Sequence, residues 1–379
     1  MINRQRLIDE FISLIKIDSL TKQERKMADA LMAKLKNMGL ESYEDDTGAK
    51  IGGNAGNVIC HVKGKKSKPT LLLMAHMDTV LPGISKTAVI DGDIIKSDGT
   101  TVLGGDDAAG IVVILETVKS LMEDNTPFGD LYIVFTVAEE GGLFGSRALD
   151  LSKTPADYAI ILDEGGKIGT VAIKAPYYNR FSVCFKGRAA HAGIEPEKGL
   201  SAIMLASKAI ADMPHFGRID SESTSNIGTI KGGEVRNIVC DTCTIEGETR
   251  SISEEKIDKF TDDILNHFKN TTEKLGGSVE IDVERMYPGF HIEETHEIIQ
   301  LLKKASGISN IHLELHATGG GSDTNIINDA GIPAVNISVG MSSVHSTDEY
   351  IHISDLEKAC QFLTAVIEAA YDMPTEKDA

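Results

Sequence analysis

The apolar run Leu71-Leu72-Leu73-Met74-Ala75 ends abruptly in His76-Met77-Asp78. Five successive apolar residues with no polar alternation suit a strand buried on both faces, as in a parallel sheet covered by helices. The design recurs along the chain: Leu131 to Val137 runs into Glu139-Glu140, Ile160-Ile161-Leu162 into Asp163, and Val335 to Val339 is followed by His345. In an open parallel sheet the carboxyl ends of the strands border the ligand crevice, so these distant segments are expected to converge there. Asp106-Asp107, preceded by Gly104-Gly105 and opening a helical pattern from about Ala108 to Leu121, joins them.

Working outward, strands are predicted over Asn57 to Val62, Thr70 to His76, Asp130 to Val137 and Tyr158 to Leu162. Strands alternating with a helix imply an α/β domain with a mostly parallel, helix-covered sheet. From about Tyr177 the texture changes. Phe181, Val183 and Phe185 alternate, a helix follows over Ala202 to Ile210, and Asn237 to Glu248 and Val279 to Val283 alternate again. This predicts an α+β lid domain over 177–288, inserted into a catalytic domain made of 1–176 and 289–379. After the insert, Pro333 to Val339 reads as a strand and Asp355 to Ala370 as a closing helix.

Two helices are expected at the start, from Leu7, Phe11, Leu14 and Ile15 and from Met27, Leu31 and Leu35. Thr21-Lys22-Gln23-Glu24 fits a capping box for the second. The basic run Lys63 to Lys68 reads as a solvated hairpin loop, and Thr375 to Ala379 as a frayed tail.

Composition excludes whole classes of function. A chain of 379 residues, 41% hydrophobic and 25% charged, is neither disordered nor fibrous and exceeds one ordinary core. The formal charge of −19 repels phosphate backbones and anionic membranes, so neither nucleic acid nor a bilayer is an expected partner. Five dispersed cysteines do not form a disulfide framework, and with no apolar leader the expected location is cytoplasmic. Cys240-Asp241-Thr242-Cys243 looks like half of a zinc knuckle, but it has no second half and lies in an alternating strand pattern.

One crevice would then hold the imidazoles of His76 and His345 beside the carboxylates of Asp106, Glu139, Glu140 and Asp163. So many carboxylates stay ionised together only if cations neutralise them. A mixed nitrogen and oxygen donor set with no adjoining cysteine suits zinc, cobalt or manganese. Two such ions generate hydroxide near neutral pH, so hydrolysis is the expected reaction class.

His76-Met77-Asp78-Thr79-Val80, Leu103-Gly104-Gly105-Asp106-Asp107-Ala108-Ala109-Gly110, Ala138-Glu139-Glu140, Leu162-Asp163 and Val344-His345-Ser346 resemble, in order and spacing, the five metal-site segments of the co-catalytic dizinc exopeptidases. Within them the chain looks most like the peptidase T (tripeptide aminopeptidase) branch, over nearly its whole length. The resemblance implies two Zn2+ per subunit, with Co2+ or Mn2+ as substitutes. His76 and Asp163 would hold one, Glu140 and His345 the other, and Asp106 would bridge them, with Asp107 as the alternative bridge. Asp78 would accept the second imidazole N–H of His76. Glu139 would act as general base on a metal-bridging hydroxide. Where the family typically has a lysine after the bridging aspartate, this chain has Ala108-Ala109.

In the insert, Gly187-Arg188-Ala189-Ala190-His191-Ala192-Gly193 resembles the lid segment whose histidine reaches a substrate carbonyl, often across a homodimer. Asn237-Ile238-Val239-Cys240-Asp241 and Glu248-Thr249-Arg250 resemble further lid stretches, with Cys240 in place of the usual proline. Arg250 would bind a substrate carboxylate. Gly319-Gly320-Gly321-Ser322-Asp323 matches a glycine turn whose amides, Gly320 among them, would meet a carboxylate. The implied activity is removal of the N-terminal residue from short peptides, tripeptides above all. The alternatives are a deacylase acting on N-acyl amino acids and a scaffold that binds peptide or metal without turnover.

Overall fold

The computed structural model describes residues 1–373, so the tail expected over Thr375 to Ala379 lies outside the described residues. The chain divides into two compact units. One comprises Met1–Ile173, His291–Ala317 and the described residues from Ser322 onward; the other comprises Lys174–Phe290 and Thr318–Gly321.

In the first unit, strands pair in parallel in the order Gly129–Thr136, Lys66–His76, Tyr158–Gly165, Ala334–Met341. Leu71, Leu72, Leu73, Ile133, Val134, Ile160, Ile161 and Val335 are buried, as unbroken apolar strands must be when both sheet faces are covered. Val58–Val62 adds antiparallel beyond Gly129–Thr136, and Thr170–Ala175 antiparallel beyond Ala334–Met341. The fold is therefore α/β with a mostly parallel centre. Helix Gly105–Glu123 links Lys66–His76 to the neighbour on one side, while Tyr158–Gly165 joins later on the other side. The order reverses around Lys66–His76, and such a reversal opens a crevice at the carboxyl ends of the strands. His76 is the last residue of that strand.

Helix Gly105–Glu123 is buried at every position from Ala108 to Val118, because its apolar residues point to all sides and need cover on all of them, and the buried Glu116 among them is met by Arg6 at 2.6 Å. The helix packs against Arg4–Ile15 and Ile353–Tyr371. The first of these buries Leu7, Phe11, Leu14 and Ile15 as the periodicity predicts, and Asn3 caps it by accepting from Arg6 N at 3.0 Å.

Two local expectations in this unit are overturned. Helix Arg25–Asn37 begins with no cap from its own N-cap side chain, and Arg25 N donates to Asn54 Oδ1 at 2.9 Å. Thr21 Oγ1 instead donates to Asp78 Oδ2 at 2.7 Å, and Glu24 Oε1 accepts from Lys22 N at 2.6 Å and Ala138 N at 3.0 Å. A fully buried Glu24 answers a buried amide from another loop, which a local motif cannot foresee. The basic run is not a hairpin loop either, because Gly129–Thr136 lies between the two strands it joins. Lys65 N donates to Phe128 O at 2.8 Å and Gly64 N to Asp130 Oδ1 at 2.8 Å, tying the run to the start of that intervening strand.

The second unit is a five-stranded antiparallel sheet in the order Gly217–Arg218, Ser223–Gly232, Thr242–Ser251, Tyr177–Lys186, Ser278–Tyr287. Helices Ala202–Ala211 and Glu254–Lys274 pack on it around Phe181, Val183, Phe185, Leu205, Ile245, Ile264 and Phe268. The strand predicted from Asn237 begins only at Thr242. Residues before it bond elsewhere, with Val239 N donating to Ala190 O at 2.9 Å and Ala192 N to Asn237 O at 3.0 Å. Among the described residues no helix is long and apolar enough to cross a membrane.

Candidate active site

Every strand end singled out by its acidic or imidazole residue contributes to one cluster in the first unit. His76, 2% exposed, places Nε2 2.8 Å from Asp106 Oδ1 and 3.6 Å from Asp163 Oδ1. His345 Nε2 lies 3.1 Å from Asp106 Oδ2 and 2.8 Å from Glu140 Oε1. Asp106 thus stands between two imidazoles, each with a second carboxylate beside it. One ligand atom each from His76, Asp106 and Glu140 fall within 4.8 Å of one another, as do those from His76, Asp107 and Asp163. The carboxylates of Asp106 and Asp107 diverge: Asp107 accepts from His76 N at 3.2 Å and Gly110 N at 2.8 Å.

Asp78 does more than the sequence suggests. The acceptor nearest His76 Nδ1 is the Asp78 main-chain oxygen at 2.9 Å, with the Asp78 carboxylate at 3.6 Å. That carboxylate accepts from Glu139 N at 2.9 Å, Glu140 N at 3.2 Å and the Thr21 hydroxyl. It therefore fixes the turn carrying both glutamates. Ala138 (φ 50°) and His345 (φ 60°) both hold left-handed backbone, a conformation uncommon for residues with a Cβ and concentrated at functional loops.

The electrostatics follow from crowding. Burial opposes a charged His76, yet Asp106 and Asp163 outweigh it and raise its pKa well above the ordinary value. Burial likewise opposes ionised Asp106, but His345 and His76 hold it below the usual carboxylate range. Asp163 is pushed up to about 8, first by burial and then by the Asp106 charge. Glu139, 8% exposed, is raised well above its usual value by burial first, with Asp163, Asp323 and Glu140 adding against the pull of His76. His345 is raised to about 10 by its bonds to Asp106 and Glu140. Metal cations among these oxygens would resolve the competition for protons. The donor set of imidazole nitrogen and carboxylate oxygen fits such ions, and all five cysteines are free thiols outside it.

Sequence reasoning missed the groups beneath the cluster. Glu24 and Thr21 support the 138–140 turn, and buried Asp323 accepts from Thr136 Oγ1 at 2.6 Å and Ser146 Oγ at 2.5 Å. Asn336 Oδ1 accepts from Asp163 N at 2.8 Å. The polar residues inside otherwise apolar strands, Thr136 and Asn336, were the available signal.

The remaining predicted residues lie in the second unit. His191 and Asn237 share one paired loop, with His191 bridged to Ile238. Arg250 stacks on Tyr178 at 4.5 Å, meets Glu248 through Nε at 3.0 Å and Nη2 at 3.3 Å, and donates to the Tyr287 hydroxyl from Nη1 at 3.3 Å. Gly320 N donates to Thr318 Oγ1 at 3.4 Å. Its neighbour Gly321 is the sterically required glycine, since a Cβ there would lie 2.2 Å from Tyr287 Cζ.

Against known proteins, the model of Peptidase family M20/M25/M40 matches residues 72–369. The chain is 42% identical over 370 residues to the uncharacterized protein YqjE of Bacillus subtilis (strain 168), covering 98% of this chain and 100% of that one. The crystal structure of aminopeptidase PepT from Bacillus cereus ATCC 10987 superposes with a TM-score of 0.88 at 41% identity, covering 97% of this chain and 99% of that one. A tripeptidase from Staphylococcus aureus subsp. aureus Mu50 gives a TM-score of 0.93 at 35% identity, covering 98% and 100%. Histidines and carboxylates gathered at the strand ends are what a metal-dependent peptidase needs, and the chain belongs to Peptidase family M20/M25/M40.

Proposed function

We propose that this peptidase is a dizinc exopeptidase that removes the N-terminal residue of short peptides, tripeptides above all. The observation that carries the proposal is the meeting of His76, Asp106, Glu140, Asp163 and His345 around the buried, Asp78-held Glu139. In this reading His76 and Asp163 would hold one ion and Glu140 and His345 the other, with Asp106 within reach of both imidazoles, while Asp107, occupied by two main-chain amides, steadies the strand end. When bound, such ions activate water and polarise the scissile carbonyl. Glu139 takes the proton of the attacking water and returns it to the leaving amine, a role that suits a carboxylate whose proton affinity burial has raised. Asp78 keeps Glu139 in place through its main-chain N–H.

Recognition of the peptide falls to the second unit in this proposal. Arg250 offers the outer N–H groups of a guanidinium already oriented by Glu248 and Tyr178 to a free carboxylate. Asn237 and Gly320 line the same role, and His191 donates to the substrate carbonyl. Exposed Phe216 and Ile238 suit pairing of this unit with a second copy.

The test is a panel of di-, tri- and tetrapeptides with free or blocked ends, assayed after chelation and after zinc or cobalt restoration. Free tripeptides are expected to turn over fastest, and blocking the amino end is expected to abolish cleavage. Cleavage of N-acyl amino acids with free tripeptides untouched would establish the deacylase instead. Absence of turnover by a metal-loaded protein would leave only the binding scaffold.

A further inference from the structure

Four residues beyond His345 lies Glu349, 1% exposed and given no part in the reaction above. Its carboxylate is held by main-chain amides: Oε2 accepts from Gly104 N at 2.9 Å and Oε1 from Asp106 N at 3.1 Å. A Cβ on Gly105 would lie 2.9 Å from Oε1, so the approach leaves no room for a side chain there. Gly104 adopts φ +76°, a backbone open to glycine that lets neighbouring amides turn toward one anion. Asp106 and Asp107 hold non-helical backbone ahead of the regular helix, so these amides belong to the loop that carries Asp106 and their geometry is set by the anion they share.

The main chain of Glu349 is anchored just as firmly. Ser97 N donates to Glu349 O at 3.0 Å, and Glu349 N donates to Ser346 O at 3.3 Å. Its neighbour Tyr350 exchanges two hydrogen bonds of 3.1 Å with Ser342, closing the loop that presents His345. One residue is therefore rooted in the His345 loop by its backbone and in the Asp106 loop by its side chain. Between those loops, His345 Nε2 and Asp106 Oδ2 stand 3.1 Å apart.

We infer that Glu349 is a positioning residue that sets the spacing of Asp106 and His345, so that carboxylate and imidazole are presented together to one divalent cation. The inference rests on the reading of the cluster as a metal site. A buried amide nest matched to a carboxylate loses an acceptor when the group becomes an amide, whose NH2 faces an N–H in turn. Both loops then relax independently, and the two metal donors lose their common reference.

The test measures zinc affinity by competition with a chelator, and the rise in melting temperature on zinc addition, for wild type, Glu349→Gln and Glu349→Asp. Glu349→Gln is expected to weaken zinc binding about 10- to 100-fold, the usual effect of removing a group that orients ligands, and to shrink the zinc-induced rise. Glu349→Asp, which keeps the charge on a shorter stem, should fall between the two and decides the matter if Glu349→Gln does not fold. A residue that only supports the fold would lower melting temperatures with and without zinc alike and leave the affinity unchanged. Wild-type zinc affinity in both variants overturns the inference while leaving the metal site standing. A wild-type protein that takes up no zinc overturns the metal-site reading, and the inference with it.

Discussion

Glu139 owes its place to neighbours that bind its main chain rather than its side chain, which separates its chemistry from its positioning. Glu139→Gln is expected to lower kcat by about 10²- to 10⁴-fold while zinc content measured by atomic emission stays at the wild-type level. Unchanged turnover would remove the general-base assignment. Glu24 gives a second prediction, in stability. Burial first and the Asp78 charge second push its carboxyl up to about 7 from an ordinary 4.5. The folded state therefore holds this proton more tightly than the unfolded one, and stability is lost as pH rises from the lower value to the upper. At ~1.4 kcal/mol per tenfold this costs on the order of 3 kcal/mol. Glu24→Gln keeps the oxygen that accepts from Lys22 and Ala138 and escapes the cost. In urea melts the variant should gain on wild type between pH 5 and pH 8, and a constant gap would refute the account. Histidines and acids at strand ends were legible in the sequence because their types are rare inside apolar runs. The duty of Glu24 was not, because Thr-x-x-Glu satisfies a local motif equally well.

At the scale of elements, helix Gly105–Glu123 and strand Tyr158–Gly165 approach as closely as their backbones permit. A Cβ on Gly110 would lie 2.3 Å from Leu162 O and 2.5 Å from Asp107 Oδ1. Gly110→Ala should therefore cost about 1–3 kcal/mol in a urea melt, as overpacking does. Because Leu162 precedes Asp163, zinc affinity should fall as well. The parallel strands and this helix were readable from unbroken apolar runs, since a two-sided burial needs no pattern beyond continuity. Partners were less readable. The Lys63 to Lys68 run looked like a hairpin loop because its flanking strands are adjacent in sequence, yet Gly129–Thr136 pairs between them. Residues 237–241 alternate like a strand but bond to the 190–192 loop, for alternation specifies a face and not a neighbour.

Across the whole molecule, chelation should expose the electrostatic cost of the cluster. Without cations, Asp163 titrates at about 8, so the folded protein loses stability as pH rises from the carboxylate range to that point. His345, raised to about 10, contributes stability that is complete below its ordinary value near 6.5 and is lost as pH rises toward 10. Both act in one direction. The fall in melting temperature on adding EDTA should be larger at pH 8.5 than at pH 6 in differential scanning calorimetry, and an equal fall at both would count against cations residing in this cluster. By itself, the sequence determined the inventory: which strands are buried and which residues at their ends can bind metal. Only the tertiary structure decided that Asp106 faces both imidazoles while Asp107 turns to main-chain amides, and that Thr21, Glu24 and Glu349 serve loops far from them in sequence. The reason is that burial forces every polar group to find a partner, and which partner comes within reach depends on how the chain has folded around it.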